Sequence, residues 1–581
     1  MKSIKIIYIG FLLTLFSGCS DFLNQVPNDR QTMEEVFLKK QPAEQYLANV
    51  YSYVPDESDV AAGSPWTTNV DEIEVSWARY LGYRLNIGNW TAADAPYAKW
   101  GDYYKGIRSA TYFMKHIDGD IEILKLDGPQ LIDQYKAEAQ FLRAYYYFLL
   151  MRQYGPVVLL GNDELPVDAS VTDIQIQRSP FDSCVSYVVK ELDAAATHLP
   201  IVPQFEKDNG RITLGAVLAL KSRLLLYAAS PEYNGNTAFA NFKNQDGTIL
   251  INQVYDKEKW RKAADAAKAV IDLNIYQLYK DASGDPIKSY RNALLVPWNS
   301  ECIFVRKSNT LNGFDVNSTL RSAGGWDGIA PTQEIVDAYF MVDGKSIVES
   351  PLYTESGFTQ GVSNMYKNRE PRFYASILYN GARYKGGSIT QDSITVDLTY
   401  NGKDGKASGG EDYSHTGYLI FKNVAPETNR LTNTNKSRPY VIFRLGEIYL
   451  NYAEALAEYG GADIEASKYL NFIRERAGIP QYGNGVNPLP AVSGLDLVAK
   501  IHAERRVELA FEGHRWFDIR RWKEASLALG DMHGMNVNKN GNEFYKRTFV
   551  SNHLWKDAYN WWPISQYEMD RSTKVVQNPG W

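Results

Sequence analysis

Cysteine is nearly absent: three in 581 residues are too few for a disulfide framework. Cys184 lies on a helical pattern and Cys302 in the strand-like ECIFVRK, so both read as isolated buried thiols. A basic excess is lacking as well. Lys and Arg number 62 against 68 Asp and Glu, a formal net charge of -6, and nothing in that balance points to nucleic acid. After residue 20 no apolar run approaches the roughly 18 residues that a membrane-spanning helix needs. Catalytic signatures are missing too. His116, His198, His415, His502, His514, His533 and His553 include no pair at i, i+4, so the HExxH zinc geometry is excluded. There is no G-x-S-x-G elbow, and Gly344-Lys345-Ser346 lacks the upstream glycine of a phosphate loop. Asp281-x-Ser283-x-Asp285 alternates oxygen ligands as a calcium loop does, but Pro286 and the missing bidentate Glu argue against calcium. Asp71, Glu72 and Glu74 offer carboxylates in plenty, yet nothing singles out the raised-pKa acid that a glycosidase needs.

What is present begins at the N-terminus. Lys2 and Lys5 precede an apolar run from Ile6 to Phe16, and Ser17-Gly18 stand before Cys19, which reads as a secretory signal over residues 1–18. The LFSGC ending resembles a bacterial lipobox, in which Cys19 becomes the lipidated first residue of the mature chain. The expectation is a protein anchored to a membrane that it does not cross.

The clearest structural signal lies between Arg444 and Pro480. Leu445, Ile448, Tyr449, Tyr452, Leu456 and Tyr459 fall on one helical face, Gly460-Gly461 break it, and Ala466, Leu470, Ile473 and Ala477 carry a second stripe that Gly478 and Pro480 stop. Asp463 is the expected N-cap. This helix pair is close to the tetratricopeptide pattern. Similar rhythms recur in Trp100–Ile117, Lys136–Gly155, Pro180–Pro200, Leu214–Gly235 and Trp260–Leu273. The fold class is therefore all-α dominated: a solenoid of tetratricopeptide-like helix pairs spanning 33–281 and 440–525. Between them, 282–439 is rich in Gly, Asn, Ser and Asp and reads as a loop-rich insert with short strands such as ECIFVRK and SITVDLTY. The last helix is read as one run through ERRVELAFEGHRWFDIRRW, its i, i+3 pairs Arg505–Glu508, Glu512–Arg515, Arg515–Asp518 and Asp518–Arg521 forming a solvated face. Residues 526–581 read as an irregular tail, and 19–581 as a single domain.

Aromatic residues are abundant, with 40 Tyr and 13 Trp. Most should fill helix interfaces, but rings on loops can stand open to a ligand. Two stretches combine rings with planar polar partners. The first carries Trp66, Asp71, Arg79, Tyr83 and Trp90; the second carries Trp298, Arg321 and Trp326. Such sets suit a sugar, whose C–H face packs on an aromatic while its hydroxyls take bidentate partners. Trp90 and Trp326, flanked by Gly or Asn, are the expected platforms, whereas Trp77 and Trp100 read as packing.

The blocks WGDYYKGIRSATYFMKHI, AEAQFLRAYYYFLL, GRITLGAVLALKSRLLLYAASP, PTQEIVDAYFMVDG, NREPRF, RLGEIYLNYAEALAE, LNFIRERAGIP, ERRVELAFEGHRWFDIRRW and the terminal QNPGW together resemble the SusD/RagB family. The resemblance covers essentially the whole mature chain. It implies a non-enzymatic, surface-exposed outer-membrane lipoprotein that binds a glycan and hands it to a SusC-like TonB-dependent transporter, with no cofactor. It also implies a helical fold of about four tetratricopeptide-like units and a ligand face built from the two aromatic stretches. The alternatives are a family member that takes peptide or another nutrient, and a glycoside hydrolase on a helical solenoid.

Overall fold

A computed structural model describes residues 33–61, 63–162, 164, 168–170, 172–384 and 394–581. The expected leader over residues 1–18 and the expected lipidation site, Cys19, lie outside the described residues. Helices of seven or more residues are α1 (Lys40–Ser52), α2 (Trp100–His116), α3 (Pro129–Tyr154), α4 (Phe181–Ala196), α5 (Leu214–Ala229), α6 (Glu258–Ile271), α7 (Pro286–Leu295), α8 (Leu311–Ser318), α9 (Leu445–Tyr459), α10 (Asp463–Ala477), α11 (Gly494–Glu508) and α12 (Arg515–Arg521). Strands of three or more residues are β1 (Ile73–Val75), β2 (Cys302–Arg306), β3 (Ile329–Pro331), β4 (Ile377–Tyr379), β5 (Tyr418–Ile420), β6 (Tyr440–Arg444), β7 (Asp531–Met535) and β8 (Arg547–Asn552).

The helices stack as a row in which α1, α2, α3, α4, α5, α6, α9 and α10 each pack on their neighbours, so that read two by two they form four pairs. No pair could bury both faces alone, and the row supplies the missing partners. In α3 the side chains from Phe141 to Tyr154 are all buried, because helices flank it on more than one side. The insert leaves the row after α6 and returns through β6, which pairs antiparallel with β2 just before α9. It is organised around a second apolar cluster. Phe373, Tyr366, Ile377 and Leu419 belong to that cluster, and Val60, Trp77, Val507 and Phe511 complete it from outside the insert.

Three expectations are corrected here. Asp463 is the first residue of α10, not its cap; Ala462 holds the cap position. The segment from Glu504 to Trp522 is two helices. The chain turns between α11 and α12, with Phe511 at φ 64° and Gly513 at φ 75°. Its charges are not solvated: Arg505, Glu508, Asp518 and Arg521 are buried, and of the four expected pairs Asp518–Arg521 is the one that forms an ion pair. The turn redirects the others, so that Arg505 reaches Asp518 and Glu508 meets Arg372, Arg444 and Arg476. Finally, the tail is ordered by an antiparallel β7–β8 hairpin and by Trp561 and Trp562, both buried in the helical core.

Candidate functional site

The antiparallel pairing of β1 with β3, in register Ile73↔Pro331 and Val75↔Ile329, joins the two aromatic stretches. Ser76 extends the ladder by donating its N–H to the Gly328 carbonyl at 3.0 Å. The Trp77 indole then packs against Gly328, where an added Cβ would stand 1.8 Å from it, so no other residue fits. A third segment closes over this corner. Ser76 Oγ donates to the Tyr413 carbonyl (2.6 Å) and Trp77 Nε1 to Asp412 Oδ1 (2.8 Å). Arg321 donates to Asp327 Oδ2 (3.1 Å), to the Lys403 and Gly405 carbonyls (3.0 and 3.1 Å) and to Ser408 Oγ (3.1 Å). Asp404 accepts from the backbone and hydroxyl of Ser322, both at 2.8 Å.

Between these walls is an open cleft of about 470 Å³, lined by Ser76, Trp77, Ala78, Arg79, Lys406, Gly410, Glu411, Tyr413 and His415. Its volume falls in the range of small-molecule sites. The Arg79 guanidinium sits 5.0 Å from the ring centres of both Trp77 and Tyr80. Lys406 stands 5.3 Å from the Tyr413 ring and donates to Asn538 Oδ1 at 2.7 Å. Burial pushes the His415 imidazole down, outweighing the opposing pull of Glu74, so near neutral pH it offers one donor and one acceptor. The cleft thus joins ring faces to fixed polar groups of both kinds.

The sequence-derived candidates divide sharply. Arg79 lines the cleft. Tyr83 is exposed but does not line it. Arg321 acts from behind, its Nη2 holding the 403–408 loop and its Nε bound to Asp327. Trp326 is half-buried, with the Arg430 guanidinium 4.3 Å from its ring centre, and is no open platform. Trp66 is 1% exposed; its Nε1 donates to Glu57 Oε1 (2.7 Å) and its ring packs among Tyr97, Trp516, Phe517 and Trp562. Trp90 is 5% exposed, with ring centres of Tyr559, Trp562 and Trp581 at 4.7, 4.7 and 4.5 Å. Asn89 beside it is exposed, but the C-terminal tail folds over the ring itself. Asp71 is buried between Arg506 (2.7 Å) and Arg515 (2.9 Å). Burial alone would raise its pKa, yet the two guanidiniums prevail and hold the carboxyl below its usual range. Trp298 is exposed in a different pocket altogether. Trp77 and Trp100 are buried, as expected. Lys406, Glu411, Tyr413 and His415 were missed. The polar stretch KASGGEDYSHTGY has no periodicity, and its one signal is a Tyr and a His set among glycines.

Other chemistry finds less support. Glu411 is the one carboxylate among the residues lining the cleft, where glycoside hydrolysis needs an opposed pair. Ser551, His553 and Glu74 cluster, but His553 is buried, with Nε2 2.7 Å from Glu74 and Nδ1 2.9 Å from the Val70 carbonyl, and the Ser551 hydroxyl donates to Glu74 instead of the imidazole. In the Asp281 loop the carboxylates serve as turn caps. Asp281 accepts from Ser283 N (3.0 Å) and Asp285 from Ile287 N (2.8 Å).

A row of tetratricopeptide-like helix pairs carrying a loop-built cleft defines a class of binding proteins in which the scaffold is rigid and the loops meet the ligand. Two family models match the chain: the SusD family over residues 300–581, and a SusD-like model described as "Starch-binding associating with outer membrane" over 21–226. SusD-like protein P38 of Formosa agariphila is 33% identical over 451 residues, covering 76% of this chain and 75% of that protein. The solved structure BT4246 superposes with a TM-score of 0.83 at 26% identity, covering 94% of this chain and all of that one. A laminarin-binding SusD-like protein shares the fold, with a TM-score of 0.60 at 19% identity over 94% of this chain and 100% of that one. The chain belongs to the SusD/RagB family of carbohydrate-binding proteins.

Proposed function

We propose that this protein is a surface-anchored glycan receptor that takes oligosaccharide into the Arg79–Tyr413 cleft and passes it, uncleaved, to a SusC-like TonB-dependent transporter. The observation that carries the reading is the convergence of two distant segments, 76–79 and 406–415, on one open cleft that hydrogen bonds between them and Arg321 behind hold in shape before ligand arrives. Such preorganisation lowers the entropy lost on binding. Tyr413 offers a ring face for the sugar, while Arg79, Lys406, Glu411 and His415 supply donors and acceptors for its hydroxyls. No cofactor is required for capture. Lipidation of Cys19 would hold the receptor at the outer membrane, in keeping with the membrane association in the family description.

The test is calorimetric titration of the purified protein with a panel of neutral and acidic oligosaccharides, laminari-oligosaccharides among them. Tyr413→Ala and Arg79→Ala are each expected to weaken the best ligand tenfold or more, by analogy with base–aromatic stacking at about 1–3 kcal/mol per ring. Unchanged affinity in both variants refutes the cleft as the site, and hydrolysis of the sugar during titration refutes capture without cleavage.

A further inference from the structure

A second concave site lies away from the cleft and shares no lining residue with it. It is a pocket of about 620 Å³ between the turn joining α7 to β2 and the α9–α10 pair, and its walls include Trp298, Tyr449 and Phe472. Trp298 is 40% exposed and adopts φ 56°, the left-handed region that a bulky side chain avoids. Apolar burial does not compensate that strain, because the ring stays in solvent. The turn itself is locked. Asn299 Nδ2 donates to the Ala293 and Val296 carbonyls (3.0 and 2.8 Å), its Oδ1 accepts from Glu301 N (2.9 Å), and Gln277 N donates to the Ser300 carbonyl (2.9 Å). The indole is therefore presented in one orientation by a backbone that Gly or Asn would fill with less strain. Retained strain of this kind clusters at ligand clamps.

Facing it, Tyr449 and Phe472 are half-buried and braced by Tyr469, whose ring centre lies 5.0 Å from Tyr449 and 5.5 Å from Phe472. On the rim Lys280 Nζ and Glu475 Oε1 form an ion pair at 2.9 Å, both half exposed, so the two charges that line the pocket cancel, and outside the lining the Lys307 ammonium stands 5.6 Å from the Trp298 ring centre. Gln277 is exposed beside them. Three ring faces, a planar amide and a self-neutralised rim suit a ligand with apolar C–H faces and many hydroxyls but no net charge.

We propose that the Trp298 pocket is a second carbohydrate site, specific for neutral oligosaccharides, in which a pyranose ring stacks on the indole. This rests on the reading of the protein as a glycan receptor. Two contact points on one chain would raise the residence of a long polysaccharide without any change at the cleft.

The experiment uses the purified protein with laminarihexaose and maltohexaose as neutral probes and an alginate hexasaccharide as the acidic one, read by calorimetry and by intrinsic tryptophan fluorescence. It compares wild type, Trp298→Ala, Trp298→Phe, and Arg79→Ala combined with Tyr413→Ala. The cleft variant should keep a weak binding phase for a neutral probe and none for alginate; adding Trp298→Ala should weaken that phase tenfold or more, and Trp298→Phe should restore most of it. Trp298→Ala should leave the melting temperature unchanged. If the cleft variant binds no sugar while Trp298→Ala binds as wild type does, the second site is refuted and the receptor reading survives. If wild type binds no glycan, both fall. If Trp298→Ala keeps every sugar phase but loses co-purification with the transporter, the pocket is a protein contact and the proposal is overturned.

Discussion

Two buried regions of this protein are held together in opposite ways. Beneath the first long loop, Trp66, Trp90, Trp516 and Trp562 close ring on ring, and the end of the tail adds Trp581. At the junction of helices and insert the contacts are charged. Glu508 receives Arg372 (3.1 Å), Arg444 (2.8 Å) and Arg476; Arg372 also meets Glu370 (2.7 Å) and Glu504 (2.6 Å); Glu301 takes Arg444 (2.7 Å) and Arg476 (3.0 Å). Ring packing is broad in geometry and gains from area. A buried ion network gains little over apolar packing, yet it tolerates only one arrangement of its partners. The seam where an irregular insert must seat on a regular scaffold is where that selectivity is found here.

The largest expected effect tests the charged seam. Glu508→Ala leaves three buried guanidiniums short of a partner and should cost at or above the upper end of about 3–5 kcal/mol, read as a lowered midpoint in urea with an unchanged slope. A loss below about 1 kcal/mol would mean that solvent reaches the seam. In the aromatic region Trp562→Ala should cost about 4 kcal/mol, since that ring is wholly buried. Trp90→Ala should cost about 3 kcal/mol while leaving oligosaccharide affinity in the folded fraction unchanged. Lost affinity at a wild-type melting temperature would return Trp90 to the ligand face.

The smallest effect separates paired from poorly compensated buried acids. Burial pushes the Glu232 carboxyl up to about 8 against Lys523 and Arg520, whose charges lower it too little. The folded chain then keeps a proton that the unfolded chain releases near 4.5, so this group's contribution to stability is lost as pH rises from about 4.5 to about 8. Glu232→Gln, which mimics the protonated acid, should flatten the decline in melting temperature between pH 5 and pH 8. An unaltered slope would show that the carboxyl ionises normally. Glu508 behaves in the opposite sense: burial opposes its ionisation, but Arg476, Arg444 and Arg372 hold it ionised well below the usual range.

Much of the scaffold was legible in the chain. The α9–α10 pair was read to within a residue because period, glycine break and Gly478 stop are local properties, and Gly478 indeed takes φ 73°. The candidate site was legible only in outline. The two aromatic stretches do meet, yet Arg79 alone of the eight candidates lines the cleft, while Trp66, Trp90 and Asp71 are buried. Gly88 and Asn89 ahead of Trp90 report on its own backbone, not on a tail nearly 500 residues downstream that covers it.

By itself the amino-acid sequence determined the helical repeats, most of their ends and the place of the insert, since each follows from hydrophobic period and from backbone preferences within a turn or two of the residue concerned. The tertiary structure decided which rings face water, which charges lie buried and which loops form the cleft. Those outcomes depend on β1 meeting β3 and on β6 meeting β2, pairings between residues far apart in the chain. Exposure is a property of what packs on a residue, and strands this short leave no periodic trace of their partner.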